Sequence, residues 1–276
     1  MTTLFSWTGI DTHGPASIYI ASDSRISWGK NVTWDVGRKL FASRNFPEVF
    51  GYCGSVSFPI QILGQLIEHI DDGLLLCESD SIEIKIEKTR CEIERNLSLM
   101  PKAHRGTCQI LYATRLGNRM RSSFHAARIE VTPDRVTADK IELPERSGLI
   151  ASAGSGKTSL NTWYEQWVGN PSQDPHQSGR TSRNVFSAFC DSLESKQDPY
   201  SGGAPQLVGI YREGPAKNFG IIHRGHRYLN GIEVVASKVL NSIEWRNELF
   251  ERCCGESMGI LKKAQRQPKL REIKAP

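Results

Sequence analysis

Strand-like and helix-like segments in this chain come in clusters and do not alternate one for one, and that order constrains its fold more than any other feature. Four short runs with apolar or alternating patterns, Thr3–Trp7, Ser17–Ser22, Lys39–Ala42 and Val49–Cys53, read as strands separated by Gly, Asp, Asn and Pro turns. Two helices follow: Ile60–Ile70 and Ile82–Met100 carry their isoleucines and leucines at three- and four-residue intervals. A second block of strands is expected at Cys108–Ala113, Phe124–Val131, Arg135–Lys140 and Gly148–Ala153, and a second helix pair at Thr158–Val168 and Asn184–Leu193. The pattern then gives strands at Gln206–Arg212, Phe219–His223 and Gly231–Val235, and a last helix from about Ser237 to Leu261. A doubly wound parallel sheet needs βαβ alternation, which is missing. The order instead predicts an α+β protein, a four-layer αββα sandwich of two antiparallel sheets with helices on the outer faces.

A length of 276 residues with 38% hydrophobic content supports one large core, so we expect a single domain over residues 1–261 and a basic C-terminal tail over 262–276. The loop Gly169–Arg183 is polar but too short and central for a domain linker. Seven cysteines, odd in number and without CxxC spacing, read as reduced thiols and argue against a disulfide framework or a zinc site. The first residues lack the basic and apolar regions of a signal peptide, and no run approaches the roughly 18 apolar residues of a membrane span, so the expected location is cytoplasmic. Much of the net charge of +5 lies in the tail, expected to be solvated and frayed. No aromatic residues interleave its charges to stack on bases, which argues against nucleic-acid binding.

The segment 151–158, Ala-Ser-Ala-Gly-Ser-Gly-Lys-Thr, imitates a phosphate-binding loop between a strand and a helix. Its first position is Ala where the pattern asks for Gly, and no apolar strand ending in a magnesium-binding Asp follows, so nucleotide binding is not expected there.

A different chemistry is suggested by Thr2 and Thr3 at the start of the sequence. Removal of Met1 would leave a free α-amine on a residue with a β-hydroxyl, and an amine can act as base for its neighbouring hydroxyl. Further along come Ser17–Arg25, an apolar strand ending in Asp23-Ser24-Arg25; Lys39, sixteen residues after Asp23; Phe50-Gly51-Tyr52-Cys53-Gly54; Gly154-Ser155-Gly156, which opens a helix; and Asp198-Pro199-Tyr200-Ser201-Gly202-Gly203, which precedes a strand. In this order the motifs resemble those of proteasome β-type subunits, the N-terminal-nucleophile threonine peptidases.

The resemblance implies that Thr2 is the nucleophile, that Lys39 supplies positive potential beside it, and that Asp23 orients Lys39. It implies that Ser155, Asp198 and Ser201 hydrogen-bond around the Thr2 amine, and that the Gly51 amide stabilises the tetrahedral oxyanion. Peptide bonds of a peptide or unfolded-protein substrate would be cut through an acyl ester on Thr2, with neither metal nor organic cofactor. Phe41 and Cys53 would border the pocket for the residue before the scissile bond. The resemblance also implies a homo-oligomeric ring with Phe58, Leu74, Leu75 and Leu76 at its contacts, and an ATP-driven unfoldase as partner. The longer Thr8–Ala16 segment is expected to be absorbed by a longer hairpin loop. Retention of Met1 would instead make the chain a catalytically inactive structural or binding subunit, and the same chemistry also serves amidases acting on small amides.

Overall fold

The computed structural model describes residues 2–29, 32–169, 179–235 and 240–270. Its first sheet is built on strands β1 (Leu4–Asp11) and β2 (Gly14–Ser22), which form a long hairpin. Strands β3 (Ile26–Trp28) and β4 (Val32–Trp34) make a small hairpin of their own, followed by β5 (Leu40–Ala42) and β6 (Glu48–Gly54). Helices α1 (Ser57–Asp71) and α2 (Ile82–Leu99) come next, then β7 (Cys108–Leu116), β8 (Ser123–Val131), β9 (Val136–Ile141) and β10 (Gly148–Ala153). Helices α3 (Lys157–Val168) and α4 (Ser182–Glu194) precede β11 (Gln206–Tyr211), β12 (Lys217–His223), β13 (His226–Leu229) and β14 (Ile232–Glu233). Two short strands, β15 (Trp245–Asn247) and β16 (Arg252–Cys253), complete the order.

The protein is therefore mixed α+β with mainly antiparallel sheets. One sheet runs β10-β1-β2-β11-β12-β13-β14, with β15 and β16 added beside β12; the other runs β5-β6-β7-β8-β9. Side-chain alternation explains why the strands read as nearly continuous apolar runs, since most are covered on both faces. Leu4, Ile18, Ile20, Val208 and Ile210 of the first sheet share a cluster with Leu40, Val49, Leu111 and Phe124 of the second. The alternate residues Phe5, Trp7, Tyr19 and Leu207 pack with Val185, Phe186 and Phe189 of α4 and Leu160 of α3. On the second sheet, Phe50, Tyr52, Ile110 and Ile129 meet Leu63, Leu66, Ile86 and Ile93 of α1 and α2.

Four expectations are corrected. The Ser237–Leu261 helix is not formed: among its described residues lie a single 3₁₀ turn, Leu240–Ser242, and strands β15 and β16. The Asn247 side chain accepts from the amides of Leu249 and Glu251, at 3.0 and 2.8 Å, fixing a turn that competes with helix. Trp245 is instead a buried strand residue over Gly220, where a Cβ would stand 2.3 Å from the indole. Next, no longer loop joins β1 to β2; the extra residues lengthen the strands, which pair as far as Asp11 and Gly14. The tail is not frayed over its described part. Gln267 is buried, its amide donates to Glu251 Oε1 at 2.9 Å, and its side chain donates to Asn184 Oδ1 at 2.8 Å. Finally, Phe58 and Leu76 belong to the core and Leu75 packs against it, so only Leu74 among the four expected contact residues is largely exposed, at 73%.

Candidate active site

Thr2 lies two residues before β1, and the neighbours of β1 on both sides converge on it. β1 lies between β10 and β2, so the turn after β10 and the segment after β2 flank the start of β1. Gly154 has φ of +85°, and a Cβ there would lie 1.9 Å from the Thr2 carbonyl oxygen; only glycine permits that approach. The Gly156 amide donates to the same carbonyl at 3.3 Å, which fixes the Thr2 backbone.

Lys39 lies immediately before β5, 1% exposed, and its Nζ donates to Thr2 Oγ1 at 2.6 Å and to Asp23 Oδ1 at 2.8 Å. Asp23 is fully buried. Oδ1 also accepts from the Thr3 amide at 3.0 Å, while Oδ2 accepts from the amides of Gly202 and Arg25 at 2.9 and 3.1 Å. With four donors the carboxylate is held in one orientation. Burial lowers the Lys39 pKa from its ordinary 10.5, with the Asp23 carboxylate acting in the opposite direction. The ammonium at the threonine hydroxyl is thus a group whose neutral form is brought within easier reach.

A second hydrogen-bond chain runs on the other side of Thr2. The Thr2 N–H donates to Ser155 Oγ at 3.2 Å, and Ser155 Oγ donates to Asp198 Oδ2 at 2.7 Å. Ser201 Oγ donates to the same oxygen at 2.7 Å and stands 2.7 Å from Thr3 Oγ1. Six of the seven residues expected from the sequence, Thr2, Asp23, Lys39, Ser155, Asp198 and Ser201, are therefore joined in one network. Met1 lies outside the described residues.

Gly51 is not in it. It lies in the middle of β6, opposite Leu40 of β5 and Leu111 of β7, and a Cβ there would come within 2.7–2.9 Å of Leu40, Leu4 and Ile20. Its bareness serves the close contact of the two sheets. Amides alternate along a strand: Tyr52 donates to Lys39 O on the β5 side and Ser55 to Thr107 O on the β7 side, so the Gly51 amide faces β7. The same alternation aims the Gly54 amide to the β5 side beyond Leu40, where β5 has not begun. Gly54 has φ of +100°, and its neighbour Cys53 lies 3.5 Å from the Cβ position of Gly154, which overhangs Thr2. The Gly54 amide therefore lies at the open end of β6, next in sequence to the residue that meets Gly154. Burial pushes the Cys53 thiol up to about 11, so it stays protonated at neutral pH. Phe41 faces the helices and carries the Arg38 guanidinium 4.4 Å over its ring.

Sequence reasoning also missed Gln206, a buried polar residue opening β11. Its Nε2 donates to Asp23 O, Ser24 Oγ and Gly37 O at 3.2, 3.0 and 2.8 Å, and its Oε1 accepts from the Lys39 amide at 3.1 Å. It ties the segment after Asp23 to the one before Lys39. Arg25 adds a two-pronged pair to Asp35 at 2.7 and 2.8 Å. The phosphate-loop imitation is absorbed by the same site: β10 is antiparallel to β1, and Ser155 and Gly156 are engaged with Thr2. Among the described residues no cluster of His, Cys, Asp and Glu could hold a metal ion, and no helix is long and apolar enough to cross a membrane. Compared with known proteins, the chain matches no family model and no curated sequence.

Proposed function

We propose that this chain is an N-terminal-nucleophile threonine hydrolase of the proteasome β type, cutting peptide bonds through an acyl ester on Thr2. The observation that carries the reading is the buried Lys39 Nζ held 2.6 Å from Thr2 Oγ1 by a saturated Asp23. The layering of three clusters, one between the two sheets and one between each sheet and its helix pair, supports the αββα N-terminal-nucleophile fold.

After loss of Met1, the Thr2 hydroxyl gives its proton to an amine, either its own α-amine or neutral Lys39, as Oγ attacks the substrate carbonyl carbon. The oxyanion forms against the Gly54 amide, in place of the Gly51 amide implied by the resemblance. Collapse breaks the C–N bond, the leaving amine takes the proton, and water then cleaves the ester to regenerate Thr2. Ser155, Asp198 and Ser201 hold the α-amine in line with the hydroxyl. No metal or organic cofactor enters these steps. Capture of Thr2 by an electrophile such as an epoxyketone or β-lactone, followed by intact mass, tests this reading; failure of capture would favour a structural subunit.

We also propose a homo-oligomeric ring that sequesters the site, located in the cytoplasm and supplied with unfolded protein by an ATP-driven unfoldase. Exposed apolar side chains on the α1–α2 side, Leu74, Ile84 and Leu99, support such contacts. Light scattering coupled to size exclusion is expected to give a multiple of 30.9 kDa; an active 30.9 kDa monomer would contradict the ring.

A further inference from the structure

At the opposite end of β1 from Thr2, seven residues or roughly 23 Å along the strand, lies a cavity of about 640 Å³ with no part in the chemistry above. Its walls come from the β1–β2 hairpin, the first turn of α4, the β15–β16 segment and the docked C-terminal residues. Five cationic side chains line it, Arg180, Arg183, Arg246, Arg252 and Lys263, against one carboxylate, Asp11. That carboxylate is already taken by Arg212, at 2.7 and 2.8 Å. Just outside, Glu244 is shared between Arg246, Arg252 and Lys217. Neither Arg180 nor Lys263 has an ion-pair partner among the described residues. Arg183 spends only its Nε on a neutral acceptor, Gln267 Oε1 at 2.9 Å.

Arg180, Arg183 and Lys263 thus face one hollow without a carboxylate in ion-pair contact among the described residues, and an anion entering it would relieve their mutual repulsion. Two features would receive it. Thr181 caps α4 by accepting from the Asn184 amide, which leaves the Ser182 and Arg183 amides at the positive end of the helix. On the floor, Gly9 is bare: a Cβ would stand 2.5 Å from Ser17 Oγ and 2.8 Å from Ser182 Oγ, so two hydroxyl donors converge where a side chain would have filled the space. Guanidinium forks, helix amides and hydroxyls together form an acceptor for several anionic oxygens at once.

We propose that this cavity binds a small polyanion carrying two or more phosphate or carboxylate groups, at a site separate from Thr2. The inference does not depend on the hydrolase reading, because its test measures binding alone. Thermal unfolding and titration calorimetry with sodium pyrophosphate, with citrate, and with sodium chloride at matched ionic strength provide it. A saturable rise in Tm with pyrophosphate alone identifies a phosphate-bearing ligand, with citrate alone a polycarboxylate, and with both the shared oxyanion chemistry. Arg180→Gln/Lys263→Gln, both exposed positions, is expected to weaken binding at least about tenfold, and Arg183→Gln likewise. The proposal is overturned if neither anion exceeds the chloride control, or if the double variant binds as the parent does.

Discussion

Two lysine–carboxylate pairs are buried among the described residues, and only one of them sets its lysine against the hydroxyl proposed to react. Lys39 meets Asp23 at 2.8 Å and Lys85 meets Glu48 at 2.5 Å, all four side chains being almost wholly enclosed. Around Glu48 the donors close on the carboxylate: Tyr112 OH at 2.6 Å and Thr114 Oγ1 at 2.9 Å join the lysine. Burial nevertheless raises the Glu48 pKa, opposed by Lys85 and those hydroxyls. The pair pins α2 to β6 and β7. Around Asp23 the donors are backbone amides, and the lysine faces outward from its carboxylate to the hydroxyl of Thr2. A buried ion pair is thus no functional signal by itself; what distinguishes Lys39 is that it also touches the hydroxyl of Thr2, the proposed nucleophile.

Exchanging the two lysines for methionine should separate these roles. Lys39→Met is expected to reduce turnover at least about 10³-fold while the protein remains folded, since three amides still hold Asp23. Lys85→Met is expected to cost about 3 kcal/mol of stability and to leave turnover per folded molecule within about threefold. Denaturant unfolding and peptide hydrolysis on the same preparations check both, and equal loss of activity in the two variants would erase the distinction.

The glycines of β6 offer a finer cut. Gly54→Ala should lower kcat by about 10²-fold, because strain at positive φ and the Thr107 carbonyl 2.7 Å from the new Cβ would displace the oxyanion amide. Gly51→Ala should instead lose roughly 1–3 kcal/mol of stability through overpacking between the sheets, with little change in kcat. The reverse outcome would return the oxyanion role to Gly51.

How far the site was legible follows from what each residue answers to. Asp23, Lys39, Ser155, Asp198 and Ser201 stand in local motifs whose strand or turn setting the sequence displays. Gly51 and Gly54 are both glycines of one strand, and choosing between them requires the direction of alternate amides, which depends on Lys39 pairing with Tyr52. Gln206 gave no local signal, since all its partners are distant in sequence. The four-residue spacing of Trp245, Leu249 and Cys253 suits a helix, but Asn247 turns the chain and β12 offers Trp245 a place beside Gly220. The β3–β4 hairpin was missed because its runs are three residues each.

The smallest expected effect is with pH. A lysine whose folded pKa is lowered penalises its protonated form, so its cost to stability is complete below the folded value and disappears as pH rises towards 10.5. Where neutral Lys39 rather than the α-amine takes the Thr2 proton, the accepting amine grows over the same interval. Turnover should therefore rise with pH through the lowered Lys39 pKa, below 10.5, and the corresponding rise in stability should be absent in Lys39→Met. A turnover profile that falls over that interval would contradict the assignment of Lys39.

The most direct test of Thr2 itself is intact mass before and after exposure to an epoxyketone or β-lactone, on the parent chain and on Thr2→Ala. The expected result is a parent mass lacking Met1, one covalent adduct per chain, and none on the variant. A parent that lacks Met1 yet takes no adduct, or an adduct that persists in Thr2→Ala, would contradict it.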